Sequence, residues 1–121
     1  VIFVGKPNTE WVNSYKRVLN AQKNVIKALE AGKRSGAKLD RIARKNISYP
    51  HSLGHNIGLD IHESPRLSMK KDAQLKPGMV FTIEPGLYLE GQYGIRIEDL
   101  VLLKKDGIEM LTKSSKEMIV L

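Results

Sequence analysis

Cysteine is absent from the 121 residues. That single absence excludes disulfides, thiolate nucleophiles and cysteine-based zinc sites together. No apolar run approaches the roughly 18 consecutive residues of a membrane span, so the chain is not expected to cross or bind a membrane. Internal repeats and low-complexity stretches are also missing. With 41% hydrophobic and 27% charged residues, the composition is that of a folded soluble chain and not of a disordered or collagen-like one. The length fits one domain at most. Histidine is scarce, with three in all, and acidic residues are outnumbered 13 to 20 by Lys and Arg, for a formal net charge of +7.

The charge is unevenly placed. Residues 1–50 hold eleven Lys/Arg against three Asp/Glu, a local +8, whereas residues 51–121 balance at −1. All three histidines, His51, His55 and His62, fall just past that boundary. We therefore divide the chain into a basic part, 1–50, and a near-neutral part, 51–121, that holds the chemistry.

The run Val1-Ile2-Phe3-Val4-Gly5 reads as a short buried strand. Asn8 or Thr9 can then cap a helix with Glu10 in its first turn. Trp11, Tyr15, Val18, Leu19, Val25, Ile26 and Leu29 follow the helical period and define one buried face, ended by Gly32. Lys16, Arg17, Lys23 and Lys27 fall largely elsewhere. A second helix after Ser35-Gly36 carries Leu39, Ile42, Ala43 and Ile47 inward. Beyond Pro50 the pattern changes to extended pieces, predicted at 52–58, 78–84, 86–90, 94–98, 100–104 and near 108–110, punctuated by Gly and Pro. Two helices followed by a strand meander make an α+β fold.

Within Gly78-Met79-Val80-Phe81-Thr82-Ile83-Glu84-Pro85-Gly86, alternation places Val80, Thr82 and Glu84 on one face. Pro85 holds Glu84 extended. A carboxylate ending so apolar a strand is costly to bury unless paired or bound to a cation. In Gly94-Ile95-Arg96-Ile97-Glu98-Asp99 the same alternation puts Arg96 and Glu98 together, a pattern that a cross-strand ion pair would also explain. Pro50, Gly54 and Gly58 argue against a helix at His51-Ser52-Leu53-Gly54-His55, so this is not a helical HExxH-type pair. Singly, each histidine reads as a hydrogen-bonded structural residue. Gathered beside two strand carboxylates, they suit a hard or borderline divalent ion such as Mn, Co, Fe or Zn.

Three separated stretches carry a resemblance: His51 to Arg66, Leu75 to Tyr88, and Gly94 to Asp99. In order and spacing they resemble the pita-bread metallopeptidases, in the prolidase (Xaa-Pro dipeptidase) and aminopeptidase P branch. Gly5-Lys6-Pro7, Tyr15, Ala21-Gln22 and Leu39 to Arg44 fit as well, so the likeness runs nearly the whole chain. Arg96, two before Glu98, favours this branch over methionine aminopeptidases. The resemblance implies the C-terminal half of a pita-bread catalytic domain, two helices packed on a mainly antiparallel curved sheet. It implies hydrolysis of the peptide bond before proline in a dipeptide or longer peptide. Two divalent metal ions (Mn, Co, Zn or Fe) would activate water and stabilise the oxyanion. By the same likeness His55, Glu84 and Glu98 match metal ligands, with Glu98 bridging, and Glu84 also matches the proton shuttle. His62 matches a histidine that contacts substrate and steadies the tetrahedral intermediate, and His51 matches a residue near the proline site. Arg66 sits where a dipeptide's free carboxylate is held, and Arg96 and Tyr88 match residues that orient the ligands.

The family pattern requires two further Asp ligands upstream. None of Asp40, Asp60, Asp72, Asp99 and Asp106 occupies such a position. The expectation is therefore an incomplete site, holding one ion or none by itself. A companion carrying the Asp pair, or an oligomer, would complete it. The 46–51 join is shorter than in the family, and Asn56 departs from the small or histidine residue usual there. The alternative is an inactive fragment or a non-catalytic module binding a protein or RNA partner. The basic residues read as a solvated helix face, so nucleic acid is not the expected partner, and a cytoplasmic location fits the lack of cysteine.

Overall fold

The computed structural model describes residues 1–121 and contains two helices and nine strands. The first helix, α1 (Thr9–Glu30), begins where the Asn8 side chain accepts a hydrogen bond from the Trp11 amide at 2.8 Å. Glu10 in its first turn and Lys27 in its last complement the helix dipole. It ends in a paired-amide cap: Gly32 N–H reaches the Leu29 carbonyl and Lys33 N–H the Ala28 carbonyl, with Gly32 at φ +85°. That left-handed conformation is one a side chain disfavours. Tyr15, Val18, Val25 and Leu29 line the buried face, as the periodicity predicts, and Lys16, Arg17, Lys23 and Lys27 face solvent. Trp11, expected on the buried face, is instead 39% exposed in the first turn, where it stacks on Phe3.

The second helix, α2 (Gly36–Ala43), starts at Ser35, whose hydroxyl accepts from the Lys38 amide at 3.1 Å. It is shorter than the pattern suggested: Ile47 is buried but lies beyond the helix end. Asp72 reinforces the start, accepting from the Ser35 hydroxyl at 2.8 Å and the Ala37 amide at 3.0 Å. The Ala37 amide first, then Ser35, hold its carboxyl below the usual aspartate range. A depressed carboxylate pKa gives stability that is present above the ordinary range and lost as pH falls through the folded value. We therefore expect the protection factors of the Ala37 and Lys38 amides, taken against their intrinsic exchange rates at each pH, to fall on acidification, and Asp72→Asn to remove most of that pH dependence.

The strands are β1 (Ile2–Phe3), β2 (Gly54–Asn56), β3 (Glu63–Leu67), β4 (Val80–Ile83), β5 (Gly86–Leu89), β6 (Tyr93–Arg96), β7 (Asp99–Lys104), β8 (Gly107–Met110) and β9 (Ile119–Val120). Five form one antiparallel sheet in the order β3-β2-β4-β7-β8, and β5 and β6 form a hairpin inserted between β4 and β7. This is the α+β arrangement that the meander pattern predicts. The sheet's inward face meets α1 and α2 through Leu53, Leu67, Phe81, Ile83, Val101 and Leu103, all fully buried. Each such side chain contributes about 1.5–3 kcal/mol by leaving water.

Three expectations need correcting. The opening run forms only the two-residue β1, which pairs in parallel with β9, and Val4 is 90% exposed. Its apolar composition suggested burial, but no layer among these residues covers that ribbon. Strand β3 lies across Pro65, whose ring made 63–67 read as a loop, yet edge position in the sheet tolerates a residue without an amide proton. The predicted 52–58 strand narrows to Gly54–Asn56, and its pairing with β3 shifts register between His55 and Asn56.

Candidate metal centre

The end of β4 and the start of β7 meet where residues 83 and 99 are ladder partners. This pairing sets Glu84, just past β4, close to Glu98, just before β7. Strand β2 packs along the other edge of β4 and supplies His55. One ligand atom each from His55, Glu84 and Glu98 falls within a set whose members all lie within 4.8 Å of one another. His55 and Glu84 are almost buried and Glu98 is open to solvent, its side chain 46% exposed. The spacing of Glu84 and Glu98 along the chain thus becomes proximity through one β-ladder.

Hydrogen bonds orient the donors. His55 Nδ1 lies 3.1 Å from the Asn56 carbonyl, which can only accept, so Nδ1 carries the proton and Nε2 is left free in the neutral ring. That free nitrogen faces Glu84 Oε1 at 3.3 Å. A proton on Nε2 or a cation bound beside it would each satisfy that contact. Thr82, 1% exposed, ties the same two residues together. Its hydroxyl accepts from the His55 amide at 3.1 Å and donates to Glu84 Oε1 at 3.0 Å. Alternation had put Thr82 and Glu84 on one face, but that alone did not reveal that the hydroxyl joins two donors. The Glu84 amide donates to the Leu53 carbonyl at 2.7 Å, fixing β2 against β4 once more.

Arg96 stands between the two glutamates, its Nε 3.8 Å from Glu84 Oε2 and 4.0 Å from Glu98 Oε2. It is half-exposed, so these long contacts steer the carboxylates more than they stabilise the fold. Tyr88 is placed differently from the expectation that it orients a ligand. Its hydroxyl meets His51 Nε2 at 2.8 Å, and its ring lies across Gly86 and Gly94, where a Cβ would overlap it. His51 Nδ1 donates to the Ser52 carbonyl at 2.8 Å, so Nε2 accepts the tyrosine proton. The two rings meet edge-on with centroids 5.5 Å apart.

His62 is exposed in the β2–β3 loop, and its ring packs edge-on against His55 with centroids 4.4 Å apart. Arg66 is the register partner of His55 across β2 and β3 and so emerges on the same face of the sheet. It, too, is exposed.

The five aspartates are engaged elsewhere or lie outside the cluster. Asp40 is buried and accepts from Arg44 Nε at 2.9 Å, the Tyr49 hydroxyl at 2.8 Å and the Met69 amide at 3.0 Å. Burial first, then that bond to Asp40, pushes the Tyr49 phenol far above its usual range. Arg44 also donates to the Tyr49 and His51 carbonyls at 2.7 and 2.6 Å, so this knot fixes the turn that presents His51. Asp99 points away from Glu98 and pairs with Lys116 Nζ at 2.7 Å, Asp72 caps α2, and neither Asp60 nor Asp106 joins the cluster.

One imidazole nitrogen and two carboxylates, each offering an atom within 4.8 Å of the others, form a donor set that fits a divalent cation. The sequence profile of metallopeptidase family M24 matches residues 1–105, and the chain belongs to that family. It is 44% identical to an Xaa-Pro dipeptidase of Pyrococcus furiosus over 98% of this chain and 36% of the relative. To the Xaa-Pro dipeptidase of Pyrococcus horikoshii it is 42% identical, again over 98% of this chain and 35% of the relative. Among solved structures, the X-Pro aminopeptidase from Thermotoga maritima superposes with a TM-score of 0.88 at 41% identity, covering 98% of this chain and 35% of that one. The prolidase from Pyrococcus furiosus gives 0.84 at 44% identity, covering 92% of this chain and 35% of that one. The fold is thus that of the pita-bread prolidases, and the chain spans about a third of the length of these relatives. No helix is long and apolar enough to cross a membrane.

Proposed function

We propose that this chain forms the C-terminal half of a pita-bread catalytic domain that hydrolyses the peptide bond before proline. In this reading residues 1–50 form the supporting layer and 51–121 the metal-site sheet. The observation that carries it is the convergence of His55, Glu84 and Glu98 on one point, with donors within 4.8 Å of one another, in a member of metallopeptidase family M24. These three would hold a divalent cation, Mn, Co, Zn or Fe, and would contribute to a second in the complete site. Cations bound there would supply Lewis-acid polarisation of the scissile carbonyl and of the attacking water.

The chain's own residues account for the rest. Glu84 takes up the proton of the attacking water and passes it to the imino nitrogen that leaves. Thr82 fixes the Glu84 carboxylate through its hydroxyl bond to Oε1, while Arg96 steers both glutamates. His62, exposed beside His55, donates a hydrogen bond to the substrate oxygen as the tetrahedral intermediate forms. His51, locked by Tyr88 and the Arg44 knot, lines the proline side. Arg66, emerging beside His55, pairs with the free carboxylate of a dipeptide. Three donors leave a divalent ion short of its usual four to six ligands. With every aspartate outside the cluster, two further carboxylates would come from outside these 121 residues, in the same gene product, a companion chain or an oligomer.

The test is hydrolysis of an Xaa-Pro dipeptide with Mn2+ or Co2+ added. The chain alone should be silent, and turnover should appear when the segment bearing the two aspartates is supplied. That turnover should vanish in Glu98→Ala. Turnover by the chain alone would refute the divided site, and activity surviving Glu98→Ala would refute the metal assignment.

A further inference from the structure

We infer that Gln22 is a positioning residue that sets the separation of Glu84 and Glu98. The inference rests on the reading above that these two residues and His55 hold a divalent cation. Gln22 lies on the buried stripe of α1, among Val18, Val25 and Leu29, where helical spacing calls for an apolar side chain. It is 1% exposed. A buried carboxamide is unfavourable unless its protons are taken up, and here both are. Nε2 donates to the Ile83 carbonyl at 3.2 Å and to the Ile97 carbonyl at 3.2 Å.

Those two carbonyls are the ones immediately before the two glutamates. A carbonyl shares a rigid plane with the next residue's amide. Fixing the Ile83 and Ile97 oxygens therefore fixes the peptide planes from which Glu84 and Glu98 leave. The sheet ladder does not do this for Glu98, because Ile97 and Glu98 fall in the gap between β6 and β7. There the Ile97 amide is held only by a long 3.3 Å bond to the Pro85 carbonyl. Leucine would fill the same volume and suit the stripe better, so what glutamine adds is one nitrogen with two protons. It works against the repulsion of two carboxylates brought close together. Gln22 touches neither the cation site nor a substrate, and it acts through the backbone of the residues that do.

The experiment is calorimetric titration of Mn2+ into the full chain, comparing wild type, Gln22→Leu and Val25→Ala. Val25 lies one turn further along the same stripe and is fully buried without polar contacts, so its truncation lowers stability without touching the clamp. We expect Gln22→Leu to weaken Mn2+ binding about tenfold or more, the scale seen when a partner that orients a ligand is lost. Val25→Ala should stay within about twofold of wild type. Equal binding by wild type and Gln22→Leu, or an equal loss in Val25→Ala, overturns the inference while leaving the cation site standing. Where the chain alone holds too little Mn2+ to measure, the same three proteins are titrated with the segment bearing the two aspartates supplied. Failure of that assembled wild type to bind removes the site itself, and the inference with it. A readout independent of folding of the variant comes from wild-type NMR. The two Gln22 Nε2 protons should be protected from exchange and should shift on adding Zn2+, whereas solvent-like exchange with no shift contradicts the clamp.

Discussion

Alanine at Gly54 is expected to destabilise the fold by about 3 kcal/mol or more and to unseat His55, although it adds one methyl group. A Cβ built there would land on the Thr82 carbonyl, which is backbone and has no rotamer by which to escape. Thr82 cannot retreat, because its strand is paired with β7 on the far side, Thr82 opposite Leu100. Strand β2 must move instead, and it is held to β4 at a single register pair, Asn56 with Phe81. His55 would move with it and lose the bond from its amide to Thr82. The contrast is Gly58→Ala, where the nearest atoms to the Cβ belong to the Glu63 carboxylate, the end of a flexible side chain. Chemical denaturation of both variants checks this. A loss below about 1 kcal/mol for Gly54→Ala would show that β2 has slack the packing does not reveal.

Gln at position 84 should be nearly silent for folding and severe for cation binding. Glu84→Gln keeps the shape of the side chain and leaves an oxygen to accept from Thr82, while it removes a charge held almost out of water beside Glu98. Thermal unfolding without added metal should therefore stay near the wild-type midpoint or rise. Mn2+ affinity should fall by at least about a hundredfold, since losing a ligand costs no less than losing an outer partner. A melting curve that collapses together with an unchanged Mn2+ affinity would make Glu84 a structural carboxylate instead.

Much of this was legible in the residues, and the limits have physical causes. Period and caps gave α1, because Asn8, the Tyr15-to-Leu29 stripe and Gly32 agree with one another. Alternation placed Glu84 with Thr82, and Arg96 with Glu98. It could not bring the two stretches together, since that depends on the 83-to-99 pairing between β4 and β7. Only the likeness in motif order implies that juxtaposition. Strand β3 was hidden by Pro65, and the role of Tyr88 by the two glycines that let its ring lie flat on the hairpin. Gln22 carries a signal in the pattern, a polar residue at a position where the helical period calls for an apolar one. Its partners are carbonyls, which no side-chain pattern reports. The +7 charge pointed to nothing specific, and its lysines and arginines on α1 face solvent away from the site.

The most direct test of the central claim is an anomalous difference map from crystals of the full chain grown or soaked with Mn2+. A peak is expected bounded by His55 Nε2 and the carboxylates of Glu84 and Glu98, on the side of His55 away from the Asn56 carbonyl. A map with manganese bound elsewhere, or with no peak between those three side chains at saturating Mn2+, would contradict it.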